Sequence, residues 1–216
     1  MRKLLVFDWD GTLADSVNKI ILCKQHLAKK HQLTKPSAKT VKAVMGMDFQ
    51  LALERCFPLT DKETLKRFGE EFQTLMQTTI FQADLFPQTQ AMLKHFKGIG
   101  LKLAIATSKS RKELNTAITH TELTDIFDLS CCAEEFRSKP NPNMLLHIMD
   151  ELSTKPLDTL YIGDTIVDID FARNANVDIA CVSFGACSEE KLLKHQPKKI
   201  IHCWNDLLQG VEKSAI

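Results

Sequence analysis

The 216-residue chain contains no apolar run near the roughly 20 residues that a membrane-spanning helix requires, so no transmembrane anchor is expected. It also has no surplus of charge. Its 28 Lys and Arg face 27 Asp and Glu, and a net +1 gives no general pull toward nucleic acid or acidic lipid. Glycine and proline are scarce, eight and seven, which excludes collagen-like and low-complexity composition. The seven cysteines show no CxxC or other zinc-ligand spacing, their number is odd, and the adjacent Cys131 and Cys132 are poorly placed to bridge each other. Reduced, buried thiols are expected. The opening MRKLLVFDWDG is too short in apolar residues for a signal peptide and is cut off at once by acids, so a cytoplasmic location is expected.

What remains is patterned. Short, nearly continuous apolar runs at 3–7 (KLLVF), 101–106 (LKLAIA), 128–132 (DLSCC), 159–162 (TLYI) and 178–182 (DIACV), with a weaker sixth at 199–203 (KIIHC), predict strands. Runs of this kind suit parallel strands covered by helices on both faces. Helical spacing over 88–97, 111–120, 143–152, 166–174 and 189–195 alternates with the later runs. The predicted class is therefore α/β, a doubly wound, Rossmann-like parallel sheet.

Between the first and second runs no strand is predicted. Residues 17–31, 38–44, 49–56 and 61–81 carry amphipathic helical pattern, punctuated by Pro36, Gly46 and Pro58. About 70 residues exceed any ordinary crossover, so 15–83 is expected to be an inserted all-α cap on a core formed by 1–14 and 84–216. The hinges are expected at 13–16 and 82–88.

Four short motifs follow predicted strands, where open parallel sheets bind their ligands. In Asp8-Trp9-Asp10-Gly11-Thr12, extended backbone turns Asp8 and Asp10 to one side and Trp9 to the other, and Gly11 permits a sharp turn. Two carboxylates so close require a cation or a shared proton, unless the segment is merely a polar turn. Thr107-Ser108 offers hydroxyls for an anion, or Ser108 or Ser110 caps the next helix. In Ser138-Lys139-Pro140-Asn141-Pro142, flanking prolines fix a lysine that can neutralise a phosphate or an aspartate pair. Gly163-Asp164-Thr165 with Asp168 presents hard oxygen ligands for Mg²⁺, or else Asp164 caps a helix with Asp168 exposed on its first turn. Four independent caps would not require this complement of two acid pairs, hydroxyls and a lysine.

DWDGT, the Thr107 hydroxyl, the SKPNP lysine and GDTIVD resemble, in order and spacing, the four motifs of the haloacid dehalogenase superfamily. The helical insert directly after the first motif is similar to the C1-type cap of its phosphoglycolate phosphatase-like members. The resemblance implies that Asp8 is the nucleophile and Asp10 the acid and base. It implies phosphate contacts from Thr107, Ser108 and Lys139, and Mg²⁺ held by Asp8, the Asp10 carbonyl and Asp164, with Asp168 in support. An aspartate at position 10 further implies phosphate-ester hydrolysis rather than carbon–halogen or carbon–phosphorus cleavage. Ser108 stands where Asn is frequent and Gln88 where Gly is frequent.

The resemblance also implies that the loop Gly46-Met47-Asp48 reaches the site to select the substrate, although an ordinary helix–helix turn would read the same. From residue 16 to 47 there are seven lysines, 19, 24, 29, 30, 35, 39 and 42, and no acid. This stretch is either a field that attracts anions or a solvated helix face. The expected activity is Mg²⁺-dependent hydrolysis of a small phosphorylated metabolite, with 2-phosphoglycolate a candidate. The expected partners include neither nucleic acid nor membrane. A phosphomutase of the β-phosphoglucomutase type and a binding protein without turnover use the same scaffold.

Overall fold

The computed structural model describes residues 2–212. Six strands, β1 (Leu4–Phe7), β2 (Lys102–Thr107), β3 (Leu129–Cys132), β4 (Thr159–Gly163), β5 (Asp178–Val182) and β6 (Lys199–Ile201), form one sheet in the order β3-β2-β1-β4-β5-β6. Every pairing is parallel. All six strands fall on the apolar runs read from the sequence. The sixth ends early because the N–H groups of His202 and Cys203 donate to the Asp206 carboxylate, at 2.8 and 3.2 Å, instead of to a neighbouring strand.

The pleat divides each apolar run between two cores. Leu5, Phe7, Leu103, Ile105 and Leu160 pack on one face with α5 (Thr89–Gly98), α6 (Arg111–His120) and α10 (Trp204–Glu212). Leu4, Val6, Ala104, Ala106 and Tyr161 pack on the other with α7 (Asn143–Glu151), α8 (Ile166–Asn174) and α9 (Glu189–Lys194). Each Leu, Ile or Phe buried in this way stabilises the fold by about 1.5–3 kcal/mol.

The insert holds α1 (Val17–Lys30), α2 (Ala38–Ala43), α3 (Phe49–Cys56) and α4 (Lys62–Met76), packed around a third apolar cluster that includes Leu27, Leu53 and Phe68. Helix α4 stops before the predicted residue 81. There the Thr78 hydroxyl and the Gln82 amide donate to the carbonyls of Leu75 and Met76, each at 2.6 Å, and satisfy the helix end. The two segments that join the insert to the sheet run antiparallel: Asp15 N donates to Asp84 O at 2.9 Å and Phe86 N to Leu13 O at 3.0 Å.

Gln88, at the entry to α5, has φ of +67° and no side-chain capping bond. A side chain in this left-handed conformation costs about 1 kcal/mol that glycine does not incur. Gln88→Gly is therefore expected to raise the melting temperature by about 2–4 °C. A lower melting temperature in a thermal scan would refute this account of the hinge.

Candidate active site

The carboxyl ends of β1, β2 and β4 meet at the middle of the sheet, together with the loop that follows β3. Asp8 directly follows β1 and is 5% exposed, while Trp9 turns away into the core at 1%. Gly11 then bends the chain with φ of +82°, and a Cβ there would lie 2.4 Å from Asp164 Oδ2. Only glycine permits that approach. A Cβ on Gly185 would also fall 2.4 Å from the same oxygen, so Asp164 sits in a cradle kept open by two missing side chains.

Asp164 is fully buried and is not a helix cap. Its Oδ1 accepts from the Thr12 hydroxyl at 3.1 Å and its Oδ2 from Ala186 N at 2.7 Å. The cap of α8 is Thr165, in a reciprocal box with Asp168. Asp168 is likewise buried rather than exposed, and both its oxygens are engaged. Oδ2 accepts from the Thr165 hydroxyl at 2.7 Å, and Oδ1 from Lys139 Nζ at 2.9 Å.

Lys139 joins the pieces. Its ammonium donates to Asp8 Oδ1 at 2.8 Å, to Asp168 Oδ1 at 2.9 Å and to the Tyr161 hydroxyl at 2.6 Å. Burial alone would discharge it, but the two aspartates outweigh burial and hold Lys139 above its usual range. Burial likewise works against ionised Asp168, and there the Lys139 charge and the hydroxyl bonds prevail and keep it low. For Asp8 burial prevails: despite Lys139, and with Asp168 repelling it, its carboxyl is pushed from 3.8 to about 7. Burial, with repulsion from Asp168 and Asp8, also pushes Asp164 well above its ordinary value. Oxygens of Asp8, Asp164 and Asp168 lie within 4.8 Å of one another. A buried, hard-oxygen donor set that cannot stay ionised unaided, around a cradle without Cβ atoms, fits a small divalent cation.

The other sequence-derived residues are distributed around this centre. Thr107, at the end of β2, is 1% exposed and accepts Lys109 N at 3.3 Å. The Ser108 hydroxyl donates to the Gly46 carbonyl at 3.0 Å and so ties the insert to the sheet in this conformation. The cap of α6 is Ser110, boxed with Glu113. In the 46–48 loop, Gly46, with φ of +81°, lies against Thr165, and Asp48 Oδ2 accepts from Ser138 at 2.8 Å while its Oδ1 caps α3. The Asp10 carboxylate stands outside the acid trio, held through both oxygens by Lys109 Nζ at 3.1 and 3.0 Å.

Sequence reasoning missed Lys109, Tyr161 and Thr12. Lys109 is visible as the third residue of Thr-Ser-Lys at the end of β2, and Tyr161 as the single tyrosine of the chain, within TLYI. Thr12 belongs to DWDGT, but its partner is 152 residues away. Asp8, Asp10, Thr107, Ser108 and Lys109 form the floor of a cavity of about 90 Å³, and insert residues including Ile20, Lys24, Met45 and Phe72 form its roof.

The sequence profile of the family described as haloacid dehalogenase-like hydrolase matches residues 5–182. A phosphoglycolate phosphatase of Nitrosococcus oceani is 27% identical over 212 residues, covering 92% of both chains. One from Vibrio vulnificus is also 27% identical, over 99% of this chain and 97% of its own. A haloacid dehalogenase-like family hydrolase from Streptococcus pneumoniae, 23% identical, superposes with a TM-score of 0.83 over 96% of this chain and 97% of its own. With the profile spanning most of the sheet and the four strand-end motifs in place, the chain belongs to the haloacid dehalogenase-like hydrolase family.

Proposed function

We propose that this protein is a Mg²⁺-dependent phosphatase that releases phosphate from a small phosphorylated metabolite, 2-phosphoglycolate among the first to test, through an aspartyl-phosphate on Asp8. The observation that carries the proposal is the pairing at the end of β1: Asp8 bonded by Lys139, and two residues on, Asp10 held by a separate lysine. One carboxylate is placed to attack and the other to move protons.

A carboxylate oxygen of Asp8 attacks phosphorus, and the phosphorus–oxygen ester bond breaks. Asp10 gives its proton to the departing oxygen. Asp10 then takes a proton from the water that attacks the aspartyl-phosphate, which frees phosphate and regenerates Asp8. Thr107 and Lys139 bind the phosphoryl oxygens as charge develops on them. Asp168, with both oxygens bonded within the protein, positions Lys139, and Ser108 latches the insert. Mg²⁺ bound by Asp8, the Asp10 carbonyl and Asp164 would offset negative charge on the transferring group. Five buried, unpaired cysteines fit a reducing, cytoplasmic setting. The intact acids weigh against a binder without turnover.

Asp8→Asn is expected to lower phosphate release by at least about 10³-fold across a panel of phosphate esters while the protein stays folded. Activity within tenfold of wild type would remove Asp8 as nucleophile.

The cation has a second signature. Without it, folded Asp8 keeps its proton up to about pH 7, whereas the unfolded chain releases it near 3.8. The folded state then binds more protons, so this contribution to stability is full below the lower value and is lost as pH rises through about 7. Mg²⁺ requires the ionised carboxylates, so its stabilisation should grow with pH. The rise in melting temperature on adding Mg²⁺ should be larger near ~pH 8 than near ~pH 5. Equal shifts at both would sink the assignment of Asp8 and Asp164 as ligands.

A further inference from the structure

One buried charge has no place in the phosphoryl chemistry. Lys24 lies on the inward stripe of α1 with Val17, Ile20 and Leu27 and is 4% exposed, whereas Lys29, Lys30, Lys35, Lys39 and Lys42 face solvent. Among the described residues its ammonium is paired with no carboxylate. It lies 3.9 Å from Cys56 Sγ and 5.8 Å from the centre of the Phe72 ring. The other lysine lining the cavity, Lys109, is already bonded to both oxygens of Asp10, and the Glu113 carboxylate is bonded by Ser110. The rest of the roof is apolar: Ile20, Val44, Met45, Ala52, Phe72 and Met76. Burial works against the Lys24 ammonium and lowers its affinity for a proton, only partly countered by Cys56 and Cys23. An unpaired ammonium in such surroundings lacks the counter-charge that buried ions require.

We infer that Lys24 is the residue that reads a second anionic group, a carboxylate or a second phosphate, on the leaving portion of the substrate. The inference rests on the phosphatase reading for the reacting end of the molecule and adds what the far end must be. The cavity, about 90 Å³, admits a short chain. Its apolar roof offers nothing to the hydroxyls of a sugar or nucleoside, and unpaired hydroxyls are penalised there. The preferred substrate is a short phosphate ester or anhydride ending in an anion, and a sugar-phosphate mutase is disfavoured by the same walls.

The test compares 2-phosphoglycolate with its carboxamide, which is similar in size and lacks one charge. Pyrophosphate serves as the compound whose second anion is a phosphate. kcat/KM is measured for wild type, Lys24→Met and Lys24→Arg. Kd is measured by calorimetry for the same compounds in the Asp8→Asn background, with and without the Lys24 changes. Wild type should favour one of the anionic compounds over the carboxamide by at least about tenfold, and which one identifies the anion. Lys24→Met should abolish that preference in both kcat/KM and Kd, and Lys24→Arg should keep part of it. No preference in wild type, or a preference that survives Lys24→Met, overturns the inference. If wild type releases phosphate from none of the compounds, the phosphatase reading fails instead, and the Kd ratios alone decide for or against Lys24. Lys24→Met also removes a buried charge without a partner, so it should melt no lower than wild type. A variant that unfolds or melts several degrees lower shows that the protein itself satisfies Lys24, and overturns the inference.

Discussion

Three buried carboxylates within 4.8 Å of one another, with one lysine ammonium between two of them, set the terms for the rest of the molecule. Such a cluster repels itself wherever water is excluded. The fold counters this with fixed positive charge and aligned dipoles. Lys139 bridges Asp8 and Asp168, and the Ala186 amide and the Thr12 hydroxyl bind Asp164. The parallel sheet makes the convergence possible, because it brings β1 and β4, 152 residues apart at Thr12 and Asp164, to adjacent positions with their carboxyl ends aligned.

Charge and shape are divided between the two parts of the chain. The strand ends and the loops after them supply the polar floor of the cavity, Asp8, Asp10, Thr107, Ser108 and Lys109, and the insert supplies a mainly apolar roof with one buried ammonium, Lys24. The two parts are held together by the Ser108–Gly46 and Ser138–Asp48 bonds. Each uses a residue next to the chemistry, so docking of the insert and arrangement of the site are linked through neighbouring backbone.

Much of this was legible in the sequence because it depends on local rules. Each strand is a short apolar run, and each chemical motif sits at the end of one. What the sequence left open was the set of partners distant along the chain. For Asp164 and Asp168 the alternative of a helix cap and an exposed first turn stays open until Thr165 is seen to hold the cap and Lys139 to cover Asp168. The partner of the Ser108 hydroxyl, the Gly46 carbonyl, lies 62 residues away and leaves no trace in the local sequence. Lys24 was hidden by its company: a count of seven lysines suggests a solvated face, whereas the spacing 17, 20, 24, 27 places it on the apolar stripe. The signal was in the helical period and not in the charge.

The latch between insert and sheet has a consequence for the order of events. The nucleophile is only 5% exposed, and the two seryl bonds hold the insert beside it. On the proposed chemistry the leaving group occupies the space from which the hydrolytic water must later attack. It has to depart before water takes its place, and inorganic phosphate has to depart after that. On that chemistry each catalytic cycle contains two separate departures, and the covalent intermediate lasts at least until the first of them is complete.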